Sequence, residues 1–211
     1  MKIVLFDLDG TITDSSEGIV NSIKYALSRL GFEDEPVEKI KQFIGPPLQQ
    51  TFKINYGIDD YQNAVSIYRE YYAVKGIYEN RLYDGIVDVL EKLKAEGYII
   101  GLATGKPTHY SHIILKHFKI DHFFDAVAGS NMDGTRGEKP EIIRDVLSEL
   151  NYNKDLHSVV MIGDRKHDVH GATHHNIDCI GVSYGYAEND ELTLAGAKHV
   201  IDKPSQLLEL L

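Results

Sequence analysis

Two carboxylates stand two positions apart at the end of an apolar run. Ile3-Val4-Leu5-Phe6 leads into Asp7, Leu8 and Asp9, and then into Gly10-Thr11. Residues i and i+2 of an extended chain face the same side. At a rise of about 3.3 Å per residue the two acids start roughly 6.6 Å apart. One reading is an Asp-Gly turn that closes a strand at the surface. The other is a phosphoryl site, with one carboxylate as nucleophile, the other as acid, and room for a phosphoryl group between them. The second reading needs more groups, and the chain supplies them. Asp164 and Asp168 stand in Gly163-Asp164-Arg165-Lys166-His167-Asp168. Thr104, Gly105 and Lys106 stand in Ala103–Pro107, and Lys139 precedes Pro140. Asp7, Asp9 and Asp164 offer hard oxygen ligands suited to Mg²⁺, which takes few carboxylates and keeps several waters. Such an ion would hold Asp7 ionised and neutralise phosphoryl charge. Lys139 offers fixed positive charge. Thr104, expected at a helix N-terminus, offers a hydroxyl and backbone N–H groups to an anion. A carboxylate nucleophile suits hydrolysis, because an aspartyl phosphate is itself labile to water.

These groups need a frame that brings them together. Near-continuous apolar runs recur at Lys2–Phe6, Tyr98–Ala103, Phe124–Ala128, Ser158–Ile162, Cys179–Val182 and His199–Ile201. Runs of this kind suit strands buried on both faces of a parallel sheet. Between them Ile86, Val89, Leu90 and Leu93 mark one face of a helix that should stop at Gly97. Pro107–Lys119 and Lys139–Leu150 read as two more helices. The alternation predicts an α/β fold, an open parallel Rossmann-like sheet with right-handed crossovers. The acids, Thr104, Lys106 and Lys139 would then lie along its carboxyl edge, where such sheets bind ligands. Residues 16–83 break the alternation and read as four helices: Glu17–Leu30, Val37–Phe43, Leu48–Tyr56 and Tyr61–Lys75. An all-helical subdomain inserted after the first strand is a candidate lid, with 1–15 and 84–211 forming the α/β core.

Composition narrows the class. The chain has 211 residues, with 43% hydrophobic and 26% charged, which is ordinary for a globular protein. A formal net charge of −10 with no basic face argues against nucleic acid as a partner. No apolar run approaches a membrane span, and the apolar start is too short for a signal-peptide core. A single cysteine, Cys179, forms no internal disulfide and fits a reducing compartment. The expected location is the cytoplasm, and the expected partner is a small phosphate ester.

Four elements stand in order: "DLDGT" at Asp7–Thr11, "ATGK" at Ala103–Lys106, "KP" at Lys139-Pro140 and "GDRKHD" at Gly163–Asp168. In these the sequence resembles the haloacid dehalogenase superfamily of phosphohydrolases, within its phosphoglycolate phosphatase-like branch. The helical insertion sits where that branch carries its cap. The resemblance implies that Asp7 is the nucleophile. It makes Asp9 the acid for the leaving group and then the base for water, with its main-chain carbonyl lent to Mg²⁺. Thr104, Gly105, Lys106 and Lys139 would bind the phosphoryl group. Asp164 would ligate the metal, and Asp168 would support the metal shell or orient Lys139.

Other readings stand beside this one. Lys106 also reads as a solvated charge at a helix start. Asp14 and Ser15 read as caps of the first inserted helix. His170 and His174 have the i, i+4 spacing of a zinc pair, but no HExxH context or nearby cysteine accompanies them, and a solvated helix face explains them. The tyrosines between Tyr68 and Tyr83 either pack the cap or line a leaving-group site. A β-phosphoglucomutase-type mutase shares the core motifs, but usually carries a histidine where this chain has Gly18-Ile19-Val20-Asn21. A receiver-type phosphoacceptor also uses an aspartate, Mg²⁺ and a lysine, yet has no use for a second acid or a helical insertion.

Overall fold

The structure is a computed structural model that describes residues 2–211; Met1 lies outside the described residues. The chain runs β1 (Lys2–Phe6), β2 (Thr13–Asp14), α1 (Ser16–Arg29), α2 (Val37–Lys41), α3 (Leu48–Gln50), α4 (Tyr61–Tyr71) and β3 (Arg81–Leu82). It continues through α5 (Ile86–Ala95), β4 (Ile99–Pro107), α6 (Thr108–His117), β5 (Ala126–Ser130), α7 (Lys139–Glu149) and β6 (Ser158–Gly163). Last come α8 (Lys166–His174), β7 (Asp178–Val182), α9 (Glu191–Ala195), β8 (His199–Ile201) and α10 (Leu207–Leu210). Two compact units divide it: 1–13 with 82–211, and 14–81.

The larger unit is an α/β core around a parallel six-stranded sheet in the order β5-β4-β1-β6-β7-β8. β1 is central because Ile3–Phe6 can be buried on both faces, and all four are. Ile3, Leu5, Ala103 and Met161 from the sheet pack with Ile143, Val146 and Val169 from helices. α5 buries Ile86, Val89, Leu90 and Leu93 as the periodicity predicts. It ends at Gly97, whose φ of 81° is the left-handed geometry of a helix stop. The chain builds outward from β1 to β4 and β5, and then to β6, β7 and β8 on the other side. The reversal falls at β1 and β6, and ligands bind at such switch points.

Several expected boundaries move, and two of them shape the sheet. β5 starts at Ala126, because the ladder is broken before it: the Asp125 N–H donates to Ile100 C=O, but the Ile100 N–H goes to the Asp125 carboxylate instead of a main-chain carbonyl, each at 2.8 Å. β4 does not stop at Ala103. It runs to Pro107 with a register shift between Thr104 and Pro107, while β5 continues alongside it. The expectation that Thr104 sits at a helix N-terminus therefore fails, since α6 begins four residues later.

The smaller unit is helical. α1 packs on α4 and on the π-helical turn Tyr72–Gly76 that ends α4. Gly18 and Gly76 make the close approach possible, since a Cβ on Gly18 would meet Gly76 C=O at 1.9 Å. A second π-helical turn, Thr51–Asn55, follows α3. Both replace the tails of helices expected to run to Tyr56 and Lys75. Tyr68 and Tyr72 are buried and stack at 5.4 Å, and Tyr25 lies 5.5 Å from Tyr71. Asp14 does cap α1, accepting the Ser16 N–H at 3.1 Å, whereas the Ser15 side chain makes no cap bond. Among the described residues no helix is long and apolar enough to cross a membrane.

Candidate active site

The site grows from the end of β1. After Phe6 the ladder stops, and the chain folds into a tight turn in which the Thr11, Ile12 and Thr13 N–H groups all donate to Leu8 C=O. Gly10 has a φ of 84° there. Its missing Cβ is required twice over, because one would meet the Asp164 carboxylate at 2.1 Å. Asp164 follows β6, the neighbour of β1. Asp168 lies in the first turn of α8, and Lys139 opens α7. Thr104 and Lys106 belong to the irregular end of β4.

Asp7, Asp164 and Asp168 converge, each offering a carboxylate oxygen within 4.8 Å of the others. Lys139 is the counter-charge. Its Nζ donates to Ala103 C=O at 2.9 Å and lies 3.1 Å from Asp7 Oδ1 and 2.7 Å from Asp168 Oδ1. The charges are close, yet their direction is poor: neither buried oxygen receives a well-aimed hydrogen bond. Asp164 is better supplied. It accepts the Thr11 hydroxyl at 3.3 Å and the Tyr186 N–H at 2.7 Å. Asp168 Oδ2 accepts the Arg165 N–H at 3.0 Å, which ties the loop to the start of α8.

Three carboxylates against one ammonium leave excess negative charge in a buried place. Burial, with Asp168 and Asp7 adding to it, pushes the Asp164 carboxyl well above its usual range. Burial pushes Asp168 up to about 6, with Lys139 opposing. Burial alone would lower Lys139, but Asp168 and Asp7 overcome it and hold the ammonium above its usual range. A site with this balance has a place for a cation. Charged oxygens, an under-bonded buried oxygen on Asp7, and no nitrogen or sulfur in the cluster suit a hard divalent ion such as Mg²⁺.

The other expected residues stand around this centre in two arrangements. The Asp9 carboxylate is not one of the three that converge. It pairs with Lys106 at 3.0 Å. Thr104 is buried, and its hydroxyl accepts the Lys106 N–H at 3.2 Å, so its own hydrogen is what it can offer a ligand. Gly105 C=O accepts the Ser130 hydroxyl at 2.8 Å, which pins the bulge. The histidines stay apart: His170 and His174 are exposed on α8, and His175 Nε2 donates to Pro140 C=O at 2.7 Å.

Sequence reasoning missed the groups that hold Asp164. In the sequence Thr11 is only the last residue of the "DLDGT" element. The loop Ser183–Tyr186 carries no motif, yet it supplies the Tyr186 N–H, and the Tyr184 hydroxyl donates to Thr11 C=O at 3.1 Å. Gly185 lies so close that a Cβ would meet Gly10 C=O at 2.3 Å. A glycine between two tyrosines just after a buried strand was the available signal.

Comparison with known proteins places the chain in a family. The sequence profile of the haloacid dehalogenase-like hydrolases matches residues 4–182. A 5'-nucleotidase from Pseudomonas aeruginosa is 45% identical over 191 residues, covering 90% of this chain and 86% of that protein. The tyrosine-protein kinase PtkA of Mycobacterium tuberculosis is 36% identical over 189 residues; these are 90% of this chain, which spans 64% of that longer protein. The crystal structure of a predicted phosphatase from Clostridium acetobutylicum matches with a TM-score of 0.93 at 42% identity, covering 99% of this chain and 97% of that one. Its four ordered motifs, its parallel core and a profile that spans most of its length agree: the chain belongs to the haloacid dehalogenase-like hydrolases.

Proposed function

We propose that the protein is a Mg²⁺-dependent phosphomonoester hydrolase that works through an aspartyl phosphate on Asp7. The observation that carries this is the buried Asp7 oxygen, beside Lys139 and two further carboxylates but without a directed hydrogen bond. A structural carboxylate is normally satisfied; a nucleophile must keep a lone pair available. Asp7 and Asp164, with the Asp9 main-chain carbonyl, would hold Mg²⁺, and the ion would supply charge neutralisation for the phosphoryl oxygens.

The chain's own groups divide the work. A carboxylate oxygen of Asp7 attacks phosphorus, the bond to the leaving oxygen breaks, and Asp9 passes its proton to that oxygen. Asp9, now ionised, takes a proton from water. The water oxygen attacks phosphorus, the Asp7–phosphorus bond breaks, and inorganic phosphate leaves. Lys139 stays charged throughout, held by Asp168, and Thr104 and Lys106 face the phosphoryl oxygens. Lys106 is paired with Asp9 before substrate arrives. A bound phosphoryl group would compete for Lys106 and free Asp9 for its proton role.

The substrate is a small phosphorylated metabolite, with nucleoside 5'-monophosphates first and phosphoglycolate or sugar phosphates behind them. The likeness to a 5'-nucleotidase over most of both chains supports that order. The insertion 16–83 is read as a cap that selects the leaving group. The test is hydrolysis of an aryl phosphate with and without Mg²⁺, followed by kcat/KM for nucleoside monophosphates, phosphoglycolate, sugar phosphates and a phosphotyrosine peptide. Asp7→Asn should remove turnover by a factor of about 10⁴ or more. Wild-type activity in that variant overturns the nucleophile. A peptide that leads the panel tenfold, about 1.4 kcal/mol of transition-state binding, overturns the small-metabolite reading.

A further inference from the structure

Arg165 follows Asp164 directly and precedes Asp168 by three residues. A guanidinium is thus tethered inside the loop that supplies two of the three converging carboxylates. Its planar fork matches carboxylates well, so a loose Arg165 would compete with a divalent cation for the same oxygens. The structure gives it another partner. Arg165 Nε donates to Glu191 Oε1 at 2.9 Å, and the same oxygen accepts the Lys166 backbone N–H at 2.8 Å. The pair is largely out of solvent, with side-chain exposures of 14% and 12%.

Position explains why one oxygen does both. Lys166 is the first residue of α8, and its N–H is one of the donors a helix start leaves without an internal partner. Glu191 is the first residue of α9, a separate element 25 residues further along the chain. Burial pushes the Glu191 carboxyl up, but the bonds from Arg165 and Lys166 outweigh this and hold it below its usual range. The loop is therefore fixed from two sides: Asp168 takes the Arg165 N–H, and Glu191 takes the Arg165 side chain and the next N–H.

We propose that Glu191 is a positioning residue for the cation site, restraining Arg165 from the Asp7–Asp164–Asp168 cluster and fixing the start of α8. It touches neither substrate nor cation. This inference rests on the Mg²⁺ reading above, and its test separates the two. Mg²⁺ is titrated into the whole chain by calorimetry, with no turnover required. Glu191→Ala should weaken Mg²⁺ binding by roughly tenfold or more, the usual effect of losing a group that orients metal ligands. Glu191→Gln keeps an oxygen for the Lys166 N–H and should lose less. Adding Arg165→Ala to Glu191→Ala should restore most of the lost affinity, because the competing guanidinium is gone. At saturating Mg²⁺ the substrate KM should stay near wild type. Wild-type affinity in Glu191→Ala overturns the proposal. A double variant as weak as Glu191→Ala overturns the restraint of Arg165. If Glu191→Ala does not fold, Glu191→Gln with and without Arg165→Ala carries the same comparison. A wild-type chain that takes up no Mg²⁺ removes the underlying reading, and the proposal with it.

Discussion

Asp7 and Asp9 carry the same functional group two residues apart, and their surroundings separate them. Asp7 is buried against Lys139 and two carboxylates, while Asp9 is half-buried against Lys106. A nucleophile gains from a fixed position, and an acid that must become a base gains from access to both leaving group and water. Asp9→Asn should therefore cost much more on an alkyl phosphate than on an aryl phosphate, because a good leaving group needs little protonation. Comparison of kcat on the two esters checks this, and equal losses would count against Asp9 as the acid. Both aspartates were legible because two acids spaced i, i+2 after an apolar run are unusual. Thr11 and Tyr186 were not legible, because a hydroxyl in a turn and a backbone N–H in a loop carry no chemical signature until Asp164 is beside them.

The end of β4 shows how an element can serve a site by being irregular. Thr104 and Pro107 pair with Gly129 and Ser130, which leaves Gly105 and Lys106 to bulge outward between them. The bulge needs Gly129, where a Cβ would meet Lys106 C=O at 2.1 Å. Bulges re-aim side chains at sheet edges, and this one presents Lys106 to Asp9. Gly129→Ala should destabilise the core by roughly 1–3 kcal/mol, the usual cost of overpacking, and should raise the substrate KM through Lys106. Urea unfolding and steady-state kinetics measure the two effects. Strand existence was legible from runs such as Ser158–Ile162, since burial on both faces dictates composition. The bulge was not, because Thr-Gly-Lys-Pro reads locally as a turn into a helix, and only pairing with β5 keeps it in the sheet. The π-helical ends of α3 and α4 were hidden for the same reason: tertiary contact, not local preference, decides them.

Over the whole molecule, the cluster of acids is a cost carried in the absence of a cation. Binding that favours the folded chain adds RT ln(1 + [L]/Kd), about 2.7 kcal/mol at a hundredfold excess over Kd. The melting temperature should be higher in millimolar Mg²⁺ than in chelator by roughly 5–10 °C, with the gap closing in Asp164→Asn. A scan that shows no difference would mean that the folded chain binds no Mg²⁺ at that concentration; a gap that persists in Asp164→Asn would place the cation site elsewhere. Lys106 and Lys139 are each already paired with an acid, so a phosphoryl anion would need the added charge of a cation beside them.

The order of strands also sets a schedule. β1 occupies the middle of the sheet between β4 and β6, so its two neighbours begin at Ile99 and Ser158. On a ribosome adding about 5–20 residues per second, β1 waits roughly 8–30 s for its second partner. During that time Ile3, Val4, Leu5 and Phe6 lack the sheet that buries them. The 14–81 unit is compact in itself and should form while synthesis continues. Nascent chains arrested within Lys139–Glu149 should therefore yield a protease-resistant fragment from 14–81 while Lys2–Phe6 is still cleaved. Chaperones that shield extended apolar segments should crosslink to that first strand until β6 has emerged.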